Sequence, residues 1–465
     1  MESRLGEVNF EGFTILGGSV SSGFMDGALY TDGQQNAYPA QLSQLVERQF
    51  NTDIYSFLSI ESENGLNTDA QNIFTNLPLP GKYELQYRSP TTQWPARLPT
   101  KGEEINGFSR NLANNSNYSF PGLRFFQIDD EVALMNNIYI EKLGEWPSGQ
   151  SLLDVALSNN PTLFILEAGI ADIFNYAVDG AAGNKNPPMD NIRSNDLTPV
   201  SVANKNLTNA VERILSDTDA ELFLFTISNP FLLPYFTKLP WHFTEEEFVE
   251  LAFSFNHYGD FNRNVRSYNQ TVDFTEMRPV IVFDVLGGDA FKAKVIVDDF
   301  LPAAQSPDGI EIPKYRQMSD DDYYLYNGEV SHYESMETDT NFGTVTPIPD
   351  RYVITQEEAQ IITDRRNEFN GIIRELADSN LRVHLIDLEK LIDDVSIGSV
   401  SFNGVNYSLN FDYQGIISAD GYSLNPKGQA LLANLFIEYL NNNFVSKIPL
   451  IDVNSQSGNI YVNNF

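Results

Sequence analysis

The chain has 465 residues, 42% of them hydrophobic, which is enough to bury a sizeable core in one large domain with insertions or in two modest ones. Its 29 Lys and Arg against 63 Asp and Glu give a formal charge of −34, which repels phosphate backbones and argues against nucleic acid as a partner. The absence of cysteine excludes disulfides, thiolate metal sites, a cysteine nucleophile and a lipidated cysteine within the numbered chain. No run approaches the roughly 20 apolar residues of a membrane-spanning helix, and the opening Met1-Glu2-Ser3-Arg4 lacks the apolar core of a signal peptide.

In chain order, the apolar run Phe13-Thr14-Ile15-Leu16 ends in Gly17-Gly18-Ser19, and residues 36–50 then carry Leu42, Leu45, Val46 and Phe50 at helical spacing. That spacing predicts a strand, a tight turn and a helix. Residues 51–120, rich in Asn, Ser and Pro, read as long loops above one edge of the sheet. A second apolar run, Leu163-Phe164-Ile165-Leu166, ends near Gly169, and a helical pattern through Leu207, Val211 and Ile214 leads into Leu222-Phe223-Leu224-Phe225. Between about 236 and 354 this rhythm fails, and the segment reads as an insertion or cap. Thr355 with Glu358 predicts a capping box before the helical face Phe369, Ile372, Ile373 and Leu376 and the strand Val383-His384-Leu385-Ile386. Asn425-Pro426 predicts the start of a last helix running through Leu440. The chain thus divides into a core at 1–235 and 355–445, an insertion at 236–354 and a polar tail at 446–465. Strands alternating with helices predict an α/β fold of three layers around a mainly parallel sheet.

Leu16-Gly17-Gly18-Ser19-Val20-Ser21-Ser22-Gly23-Phe24 is similar to the first block of the SGNH, or GDSL-type, hydrolases, in particular a long group common in Bacteroidota. Pro121-Gly122 resembles the second block, Gly169-Ile170-Ala171-Asp172 the third and Asp420-Gly421-Tyr422-Ser423-Leu424-Asn425-Pro426-Lys427-Gly428 the fifth. The four blocks stand in the family's order, and connecting segments such as Asn229 to Phe236 and Tyr352 to Phe369 also look related. The resemblance implies a flavodoxin-like SGNH fold with large insertions.

It also implies roles. Ser19 stands at the nucleophile position, Gly122 at the oxyanion glycine and Asp420 at the acid that orients the catalytic histidine. Ser423 occupies the histidine position, and a hydroxyl cannot take a proton near neutral pH and return it. Ala171 occupies the oxyanion asparagine position, and a methyl donates no hydrogen bond. Gly18 replaces the residue that precedes the nucleophile, which is expected to loosen the turn that aims Ser19. Loss of a triad base costs on the order of 10⁶ in turnover, and loss of one oxyanion donor roughly 10² to 10³. The resemblance therefore implies a pseudoenzyme with Ser19, Gly122, Ala171, Asp420 and Ser423 as vestigial positions. It further implies an exported protein held at the outer membrane or cell surface, through a lipid anchor upstream of the numbered chain, as a subunit of a protein complex.

The residues leave two rival readings open, a weak or altered esterase using Ser19 and a monomeric lipid- or glycan-binding module. No cofactor is implied. His242, His257 and His332 fall in the insertion, where any could hang over the pocket, and His384 falls in a strand pattern; none is expected to serve Ser19. Asp298-Asp299 and Asp320-Asp321-Asp322 lack the alternating ligand spacing of a calcium loop, and no metal is expected. Asp172 reads as a helix-capping or loop-fixing residue. The aromatic stretch Phe231, Tyr235, Phe236, Trp241, Phe243, Phe248, Phe253, Phe255 and Tyr258 reads first as core of the insertion and second as an apolar groove.

Overall fold

A computed structural model of the chain describes residues 5–50, 56–65, 80–89, 92–103, 115–134, 137–141, 146–245, 247, 257–284, 286–326 and 343–462. Its central sheet has five strands: β1 (Phe13–Gly17), β2 (Asn117–Ser119), β3 (Leu163–Glu167), β4 (Glu221–Phe225) and β5 (Val383–Ile386). They lie in the order β2-β1-β3-β4-β5, every neighbouring pair parallel. This is a doubly wound order with its switch point between β1 and β3. Every residue of β1 and β3 is buried, which is why both read as unbroken apolar runs rather than as alternation.

Among the described residues the main helices are α1 (Tyr38–Phe50), α2 (Leu152–Leu157), α3 (Ile170–Val178), α4 (Val200–Asp217), α5 (Gly259–Asn269), α6 (Gln356–Ser379), α7 (Leu388–Ser396) and α8 (Pro426–Asn443), of which α5 belongs to the insertion and not to the layers. α8 packs on α1, while α6 packs on α3 and α4. Phe223 of β4 meets Phe436 and Tyr439 of α8, and Phe225 meets Tyr38 of α1. Alternate residues of a strand face opposite ways, so Leu222 and Leu224 turn to the other layer, where α6 contacts β4 and β5. Local signals place the helix starts where the sequence puts them. Thr355 and Glu358 close a reciprocal capping box on α6, and the Asn425 side chain accepts from the Lys427 and Gly428 N–H groups with Pro426 at the first position of α8.

Two regions depart from expectation. Within 51–120 lies an antiparallel hairpin, Pro80–Ser89 with Thr92–Lys101, extended by Tyr461–Val462 of the tail, and the edge strand β2 also falls there. Prolines scatter the hairpin's pattern, and a three-residue edge strand reading Asn-Tyr-Ser carries no apolar period. The polar tail is likewise anchored, because Ile448, Ile451 and Val453 are buried in the main core and Asn434 of α8 holds both backbone groups of Ile451. The insertion contains α5 and short antiparallel pairs, Val295–Val297 with Tyr315–Gln317 and Ala304–Gln305 with Glu311–Ile312. Phe231, Tyr235 and Phe236 belong to the main core, and Tyr258 packs with Ile281 and Val295. Phe248, Phe253, Phe255 and His332 lie outside the described residues.

Candidate functional site

Because the five strands run one way, the turns that follow them gather at one edge of the sheet. A cleft of about 480 Å³ opens there. Ser19 after β1, Gly122 after β2, Ala171 after β3, Ser228 after β4 and Leu388 after β5 all line it, joined by Ser423 from the loop before α8. The structure therefore brings Ser19, Gly122, Ala171 and Ser423 together. Asp420 is fully buried behind Ser423 and does not line the cleft.

The Gly122 N–H points at the Ser19 hydroxyl, 3.3 Å from Oγ. Gly122 sits at φ +76°, and a Cβ built on it would meet nothing within 4 Å, so glycine is kept for its backbone conformation and leaves the space open. Ala171 lies in the first turn of α3, where its methyl offers the cleft no hydrogen bond. Ser423 is tied by its backbone: its N–H donates to Asp420 Oδ1 at 2.8 Å. The same carboxylate accepts from the Tyr422 N–H at 2.9 Å, the Ser418 hydroxyl at 3.1 Å and the Gly27 N–H at 2.9 Å. Asp420 thus fastens the Ser423 turn to the loop after β1.

The turn that aims Ser19 is not loose. Glu167, the last residue of β3, accepts from the Gly18 and Ser21 N–H groups through Oε2, each at 2.9 Å. A Cβ on Gly18 would come within 3.1 Å of Glu167 Oε1, and one on Gly17 within 2.9 Å of Oε2. The neighbouring strand supplies the anchor that residue 18 lacks, and the space it fills is why 17 and 18 are glycine. Burial pushes the Glu167 carboxyl up to about 7, against the lowering effect of the Ser21 and Gly18 hydrogen bonds. Glu167 does not line the cleft. Its trace in the sequence is faint: one acid closing an otherwise apolar run.

Asp172 fixes a loop. It accepts from the Phe125 N–H at 3.0 Å, from Arg124 Nε at 3.3 Å and from the Thr198 hydroxyl. Burial raises its carboxyl while the adjacent Arg124 charge opposes that shift. Arg124 directs its remaining N–H groups to the Arg193, Ser194 and Asp196 carbonyls and to the Thr198 hydroxyl. Asn191, Ile192, Arg193 and Ser194 of that pinned loop form one wall of the cleft.

No described histidine lines the cleft. His384 is buried in β5, held between the Tyr439 hydroxyl at 3.0 Å and Glu221 at 2.7 Å. His242 makes a hydrogen bond to the Phe243 carbonyl, and His257 lies beside Tyr258 in the insertion. Among the described residues no group of three or more acidic or histidine side chains is placed to hold a metal ion, and no helix is long and apolar enough to cross a membrane. The described lining thus offers serine and tyrosine hydroxyls, two guanidinium groups, backbone N–H groups, amides and apolar side chains, but neither an imidazole nor a carboxylate to act as a base. No protein-family model matches the chain. No curated protein matches it either.

Proposed function

We propose that this protein is a non-catalytic relative of the SGNH hydrolases that binds a small molecule in the cleft at the carboxyl edge of its sheet. One observation carries the reading: the cleft is open and has Ser19 and Gly122 at its wall, yet none of the described residues lining it can accept the serine proton. A serine without a base is a poor nucleophile, and the groups nearest to that role are engaged elsewhere. Asp420 accepts from three donors of its own turn and from the Gly27 N–H of the loop after β1, and Glu167 binds the backbone behind Ser19. A lining that mixes apolar side chains with hydroxyls, amides and guanidinium groups suits retention of a ligand with both apolar and polar parts.

The test is reaction with a fluorophosphonate together with hydrolysis of short- and medium-chain aryl esters, each compared with Ser19→Ala. The expected result is no labelling of Ser19 and no hydrolysis above that control. Stoichiometric labelling of Ser19, or a Ser19-dependent burst, would overturn the non-catalytic reading in favour of an altered esterase.

A second reading, as a subunit of a cell-surface or outer-membrane assembly, draws on the insertion. Phe274, Leu286 and Ile310 there are at least half exposed, and Met277, Val282, Phe291 and Phe300 are also exposed. Apolar side chains concentrated in one segment of the surface suit a protein contact.

A further inference from the structure

The lining of the cleft differs in charge from the rest of the chain. Acidic residues number 63 in 465, so 26 lining residues would hold about three or four at that frequency, and they hold none. They include two arginines. Arg124 is committed, because its five N–H groups meet Asp172, three carbonyls and the Thr198 hydroxyl. Arg193 is exposed on the loop wall, and its guanidinium has no ion pair or hydrogen bond among the described residues. The walls carry a large apolar share, Phe24, Ile170, Phe174, Leu233, Leu388 and Ile392 among it, and the volume is that of a small-molecule site rather than a peptide groove.

Resting on the binding reading above, we infer that the cleft selects an anionic amphiphile, an apolar molecule that ends in an oxyanion such as a carboxylate or a sulfate. A cationic ligand would find no carboxylate to pair with among the described residues that line the cleft. A neutral one would leave the Arg193 guanidinium, whose planar fork matches an oxyanion, without a use. The formal charge of −34 does not forbid the anion, since salt screens exposed charges beyond about 8 to 10 Å and the groups near the cleft then set the local potential. The Ser19 and Ser423 hydroxyls supply further donors in the lining of the cleft.

Isothermal titration of the full chain with decanoate, decyl sulfate, decanol and decyltrimethylammonium, each below its micelle concentration, tests this. Decanoate and decyl sulfate are expected to bind at least about tenfold more tightly than decanol, with the cation weakest, and added salt to weaken the anions alone. Arg193→Glu, at an exposed position, is expected to lower anion affinity at least about tenfold and leave decanol unchanged. Ile170→Trp, which fills the cleft from the first position of α3, should abolish binding of all four. Equal affinity for decanol and decanoate, tighter binding of the cation, or decanoate affinity unchanged in Arg193→Glu would overturn the anion preference and leave the binding reading standing. Failure of every alkyl ligand to bind would overturn both, whereas Ser19 labelling bears on catalysis alone.

Discussion

Glu167 is a buried acid whose proton is coupled to folding. In the unfolded chain it titrates near the ordinary 4.5, while in the folded chain burial holds it at about 7. Below the lower value both states keep the proton and stability is flat. Between the two the unfolded chain releases the proton and the folded chain does not, so stability falls as pH rises and levels off above the upper value. Glu167→Gln keeps an oxygen acceptor for Gly18 and Ser21 without the ionisation. It is therefore predicted to remove on the order of 3 kcal/mol of the loss in stability that urea denaturation detects between about pH 5 and pH 8. An unchanged pH dependence in this variant would show that the carboxyl is not buried behind the Ser19 turn. Ser19, Gly122, Ala171 and Ser423 were singled out through the resemblance of their segments to family blocks, in which each stands within three residues of a glycine, proline or aspartate. Glu167 was not, because its partners are backbone N–H groups 146 and 149 residues away.

At the scale of elements, α8 shows how far local signals carry. The Asn425 side chain caps the first turn of α8 through Oδ1 and also donates to the Gly415 carbonyl at 2.8 Å. Asn425→Ala removes the cap and leaves that buried carbonyl without its partner, so it is predicted to lower stability by roughly 2 kcal/mol by urea denaturation. Asn425→Asp retains the cap oxygens and should cost less. Equal stability of the alanine variant and the wild type would mean that α8 is held by packing alone. The cap, like the Thr355 box, was readable because its donors lie within three residues. β2 and the hairpin at 80–101 were not, because a strand is completed by partners distant in sequence: β2 pairs with β1 a hundred residues earlier, and the hairpin takes its third strand from Tyr461 and Val462.

At the scale of the whole molecule, the exposed apolar side chains of the insertion motivate the remaining prediction. On the assembly reading, tagged protein extracted from host membranes in mild detergent is expected to bring down a stoichiometric partner, and Phe274→Asp with Leu286→Asp is expected to release it while the purified variant keeps its fold. Recovery of the wild-type protein as a free monomer would sink the assembly reading. The α/β class, the alternation of strand and helix and both capped helix starts were settled by the sequence alone, because apolar periodicity and capping are local and act within a turn or two of chain. The tertiary structure alone decided the strand order β2-β1-β3-β4-β5, the closure of the Ser19 turn by Glu167 and the pinning of a cleft wall by Arg124 and Asp172. It also decided that no acid stands among the described residues lining the cleft. These features depend on which distant segments meet at the carboxyl edge of the sheet, and no local pattern of side chains encodes that meeting.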